Sequence, residues 1–182
     1  MKKMQMSARE AVAKLDNVVS AHLKAGNYLY CAEAGGEVFY TEIDDRLRQL
    51  EGDTPVTLVF YTEAELTSVT LIEAQRFVNQ VSGELPKIAD AFYAGQGSLG
   101  TLVQLAEALA WLQEVCVLLS GRGHDLAGWP ERLRDAAREL VQVTEENRAT
   151  GQGDFLLYEL QGALDGLRDR LARIEVVDGD QA

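Results

Sequence analysis

Apolar positions follow two rhythms along the chain: helical spacing of three and four over most of it, and one early segment where aromatic and β-branched residues flank a glycine pair. The longest apolar run is Leu99 to Leu119, LGTLVQLAEALAWLQEVCVLL. Read as a helix, it sets Leu99, Leu102, Ala106, Leu109, Leu112 and Cys116 on one face, widened by Leu105, Ala108, Val115 and Leu119. A helix so broadly apolar belongs at the centre of a core. Its one wet stripe is Gly100, Gln104, Glu107, Trp111, Glu114 and Leu118, in which Trp111 and Leu118 are themselves large and apolar.

Ahead of this helix, Ser7-Ala-Arg-Glu10 is a capping box opening a helix through Val12, Leu15, Val18, Val19 and Leu23, with a stop at Ala25-Gly26-Asn27. YLYCAEAGGEVFY then predicts a hairpin turning at Gly35-Gly36. A short amphipathic helix follows from Thr41 to Leu50, and PVTLVFYT, Pro55 to Thr62, reads as a further strand. Thr62-Glu-Ala-Glu65 is a second capping box, with its stripe running from Leu66 to Val81 and ending at Ser82-Gly83. Pro86 either kinks one long helix or, as the preferred reading, opens a new one at Leu85; the stretch closes at Gly95-Gln96-Gly97, after which Ser98 caps the central helix.

Beyond Leu119, SGRGHDLAGWP reads as a loop of about a dozen residues. Pro130 opens a helix that runs to about Arg148 and ends at Gly151-Gln152-Gly153. Asp154 caps the last helix, whose inner face is Phe155, Tyr158, Leu160, Leu164, Leu167, Leu171 and Ile174. The tripeptide GQG thus occurs twice, 56 positions apart; beyond it, with one residue dropped, Leu105, Ala108, Leu109 and Leu112 fall on Leu160, Ala163, Leu164 and Leu167. Two αα-hairpins of common pattern make a four-helix bundle. The predicted class is therefore mostly α, α+β overall: a small α+β module of two or three short strands over 1–62, a helical bundle over 63–176 and a frayed tail over 177–182.

Taken together, Val56 to Thr62, Glu65-Leu66, Phe92 to Gly95, Leu105 to Leu112 and Asp154 to Leu160 resemble an uncharacterised family of bacterial helical proteins. The resemblance implies the architecture and no activity.

Composition narrows the partners. With 29 acidic against 17 basic side chains, the net charge of -12 repels nucleic-acid phosphates and anionic membrane surfaces. Arg168, Arg170 and Arg173 interleave with Asp165, Asp169 and Glu175 as a solvated face. The start lacks the apolar run of a signal peptide, and the polar residues inside Leu99 to Leu119 argue against a membrane span, so a cytoplasmic protein is expected. Cys31 and Cys116, both among apolar neighbours, suit a reduced compartment.

Candidate chemistry is sparse. Gly95 to Gly100 spells GxGxxG, but helical spacing precedes it where a dinucleotide loop needs a strand. His22 reads as a boundary residue and His124 as part of a polar loop, and neither has the spacing of a metal pair. Cys116 could meet His124 only by leaving its apolar surroundings. Asp44-Asp45, Glu107, Glu114, Glu145-Glu146 and Glu159 merge into the acidic surface. No cofactor or metal is predicted. Trp111, Leu118 and Trp129 are the candidate interaction residues, marking a partner site unless the N-terminal module covers them. The expected function is a noncatalytic protein-interaction bundle, an adaptor or chaperone, bound to another protein or to itself. The alternative is a small-molecule or nucleotide binder with its site near Tyr93 and the Gly95 to Gly100 turn.

Overall fold

The computed structural model describes residues 1–146 and 148–174, so the tail read from Val177 onward lies outside the described residues. The chain forms two compact units, with the boundary falling inside a helix after Val69.

In the first unit an antiparallel sheet of order β1-β4-β2-β3 contains β1 (Lys2–Ser7), β2 (Asn27–Ala34), β3 (Glu37–Phe39) and β4 (Pro55–Thr62). β1 corrects the expectation of two or three strands. Its sequence, KKMQMS, carries only two apolar side chains, but their alternation matches the sheet's. Met4 aligns with Leu58 and Ala32, and Met6 with Val56 and Ala34, giving apolar rows across three strands. These residues share one core with Ala8, Ala11 and Leu15 of α1 (Ala8–Lys24) and Leu47 of α2 (Ile43–Arg48). On the opposite rows Lys3 and Gln5 align with Val59 and Thr57, and Lys3 pairs with Glu33 at 3.1 Å.

Local signals are obeyed in this unit. Ser7 Oγ accepts the Glu10 amide, and the Glu10 carboxyl is held below its usual range, first by Lys14 and then by the Ser7 backbone amide. Gly35 and Gly36 take φ values of 61° and 84°, as a tight primed hairpin turn requires.

α3 (Glu63–Tyr93) leaves β4 through the second capping box: the Thr62 amide donates to Glu65 Oε2 at 2.8 Å and the Glu65 amide to Thr62 Oγ1 at 3.3 Å. Pro86 lies inside this single helix, which corrects the new start expected at Leu85. Proline removes one backbone donor. Leu71, Ala74 and Val78 before it and Leu85, Ala89 and Phe92 around and after it all enter one core, so packing on both sides holds the helix together.

The second unit joins α3 to α4 (Leu99–Gly121), α5 (Trp129–Glu145) and a C-terminal rod of α6 (Ala149–Asp154), a π-helical segment (Phe155–Leu160) and α7 (Gln161–Leu171). Gln75 of α3 donates to the Leu171 carbonyl at 2.9 Å. Gly151-Gln152-Gly153 lies within the rod, so it does not end a helix as expected and the two GQG motifs are not equivalent turns. Its cause is tertiary: a Cβ at Gly153 would lie 2.7 Å from the Tyr93 ring, so glycine there permits a close approach inside a helix. Asp154 caps nothing; its carboxylate accepts the Tyr93 hydroxyl instead.

Candidate functional site

α4 is built with two apolar faces. Leu102, Leu105, Leu109, Leu112, Cys116 and Leu119 follow each other at alternating three and four positions and are buried, with Val115 beside them. All six members of the expected wet stripe, Gly100, Gln104, Glu107, Trp111, Glu114 and Leu118, are exposed. Trp111 is 38% and Leu118 41% exposed. The indole of Trp111 meets the Phe77 ring of α3 edge-on at 5.2 Å, which fixes it in place while leaving part of it in solvent.

Leu99, assigned to the inner face by its spacing, is exposed, as are Val103 and Val117. The core needs only an arc of α4, and its leucines fill that arc; the residues left over form a second stripe. Beside it, Leu102, Val103 and Ala106 meet Leu140, Val141, Thr144 and Glu145 of α5 around an apolar groove of about 120 Å³. By length and composition α4 could also cross a membrane, and 39% of its most apolar 18-residue window is buried within the protein.

Trp129 does not join this face. It is the first residue of α5, 9% exposed, because the connection after α4 is shorter than expected and Leu126 within it is buried. Its indole rests against Gly166, where a Cβ would come within 2.9 Å, and Arg132 lies 5.1 Å over the ring. Two glycines were the available signal: Gly166 makes room and Gly128, at φ 79°, turns the chain into α5.

The Gly95 to Gly100 turn has a backbone role at each step. Gly95, at φ 70°, donates to the Phe92 carbonyl and Gln96 to that of Ala91, which closes the C-terminus of α3 as a Schellman turn. Gly97 faces the Phe92 ring, and Ser98 Oγ accepts the Thr101 amide. A hollow of about 210 Å³ lies among Lys87, Phe92, Gln96, Gly97, Ser98 and Thr101, with the Gln96 and Thr101 amides already engaged.

At the neighbouring Tyr93 the hydroxyl donates to Asp154 Oδ1 at 2.6 Å, a bond that only the protonated phenol can make; that bond first, then desolvation and the nearby carboxylate charge, raise its pKa to about 12. The bond's contribution to stability is intact below pH 10 and is lost as the phenol ionises toward 12. An absorbance titration should show a late tyrosinate that Tyr93→Phe removes; an unchanged profile in that variant would contradict the assignment.

His22, half-buried, stacks on Phe60 with centroids 3.9 Å apart, and the His124 amide closes the end of α4 on the Leu119 carbonyl. Among the described residues no group of three or more His, Cys, Asp or Glu could hold a metal ion. Cys116 is buried, and desolvation pushes its thiol up to about 12; burial also raises that of Cys31. Both should react with Ellman's reagent at the rate of global unfolding. Fast native labelling of Cys116 would place it outside the core.

Two members of the basic group are paired: Arg168 with Asp165 at 2.8 Å, and Arg170 with Asp125. Comparison with family models, curated proteins and solved structures yields no match, so the motif resemblance assigns the chain to no family.

Proposed function

We propose that this protein is a noncatalytic, cytoplasmic protein-interaction module of adaptor or chaperone type, with the outward face of α4 as its docking surface. The supporting observation is that face itself: Leu99, Val103, Trp111, Val117 and Leu118 are exposed on a helix whose other side already fills a core. Trp111, held by Phe77 and still partly solvated, has the character of an interface anchor.

A photo-crosslinking residue at Leu118 in the full chain should give a discrete protein adduct in cells, and one at the exposed Tyr158 should not. No adduct at Leu118, or equal adducts at both, would overturn the reading. A nucleotide site at Gly95 to Gly100 is the competing proposal, and a thermal-shift panel of nucleotides separates the two, because a bound ligand raises the melting temperature.

A further inference from the structure

Resting on the docking-face reading, we propose that the occupant of α4 is a second copy of this chain, packed parallel and in register about a two-fold axis running along the helix. The outward stripe has its own repeat. Leu99, Val103, Ala106, Ala110, Gln113 and Val117 succeed one another at four, three, four, three and four positions, the spacing of a coiled-coil seam; Leu99, Val103, Ala110 and Val117 are exposed, Ala106 and Gln113 half-buried, and Trp111 and Leu118 flank this seam. Large side chains stand toward the ends, and Ala106 and Ala110 at the middle let two helices approach closely. Gln113 is the single polar member. In a parallel pair it meets its own copy, and one such polar layer fixes register.

Charge selects the occupant and its direction. α4 carries no lysine or arginine between Leu99 and Gly121, and Glu107 and Glu114 are exposed along one margin of the seam. The other margin is α5, where Val141 and Glu145 share the groove with Val103 and Ala106. Arg134 and Arg138 continue that row of α5, seven and three positions before Val141, and both are exposed. Arg138 also touches Asp135 at 3.4 Å, a solvated contact that leaves its charge usable. A two-fold axis parallel to α4 turns the acidic margin of one copy onto the arginine row of the other. Because α5 returns beside α4, with Val141 near Val103, Arg138 falls at the level of Glu107 and Arg134 within about a turn of Glu114. The antiparallel arrangement instead sets the two acidic margins against each other. The same surface thus carries both halves of a complementary pair.

The test uses the full chain with Ala110→Cys, a substitution at an exposed seam position, while the native Cys31 and Cys116 stay buried. Light scattering should give a dimer, and mild oxidation should link position 110 to its own copy. Glu107→Arg with Glu114→Arg should weaken dimerisation about tenfold or more, and adding Arg134→Glu with Arg138→Glu should restore it. A dimer that crosslinks through Ala106→Cys mixed with Ala110→Cys, and not through position 110 alone, overturns the parallel arrangement. A monomer whose introduced thiol labels readily with maleimide overturns the second copy but leaves the face open to another protein. Should the variant be monomeric and its introduced thiol unreactive, the face is closed within the chain and the docking reading falls as well. Flotation with phosphatidylcholine vesicles in place of dimerisation would make lipid the occupant and overturn the proposal.

Discussion

Leu109→Ala is expected to lower the stability of the helical unit by about 2–5 kcal/mol, and Val103→Ala, on the same helix, to change it by less than about 0.5 kcal/mol. Leu109 is 2% exposed within a core that also holds Leu112, Leu133 and Leu164, so truncating it removes apolar contact and leaves a cavity. Val103 borders solvent and a shallow groove. Urea titrations, at concentrations low enough to keep copies apart, measure both. Comparable losses for the two would mean that α4 is buried all round and has no outward face.

The second large effect separates two glycines of one turn. Gly97→Ala should cost about 1–3 kcal/mol, because its new Cβ would overlap the buried Phe92 ring and force that ring to shift. Gly100→Ala, in the first turn of α4, meets only Ser98 Oγ at 3.8 Å and should be neutral or stabilise by up to about 1 kcal/mol. Thermal unfolding of the two variants checks this. If a phosphate-binding loop were the reason for these glycines, both alanines would be tolerated by the fold and both would abolish nucleotide binding.

Those glycines also show where the sequence was readable. Gly95 and the Gly35-Gly36 pair do what their local chemistry predicts, since a positive φ is decided by the turn itself. The strand Pro55 to Thr62, the caps at Ser7, Thr62 and Ser98 and the wet stripe of α4 are legible for the same reason: each depends on neighbours within a turn or two. Gly153 and Gly166 are different, because what they accommodate, Tyr93 and Trp129, comes from distant parts of the chain. Trp129 could be placed in the core only by knowing that Gly166 faces it. β1 was hidden by the lysines and glutamine of an edge strand, where charge also discourages further strand pairing. Pro86 is the case where a strong local signal loses to packing on both sides.

Of the candidate site, Trp111 and Leu118 were legible, and most of the outward seam was not. Leu99 and Ala106 have spacing equally compatible with the buried face, and only the directions from which α3 and α5 approach decide which leucines the core consumes.

The most direct test of the docking face is the Leu118 photo-crosslink repeated with Val103→Glu and Val117→Glu in the same chain, with circular dichroism on the same preparation. Wild-type helix content and loss of the adduct are expected, because Val103 and Val117 are both exposed and the carboxylates put charge into an apolar seam. An unfolded variant, or an adduct of undiminished yield, would contradict it.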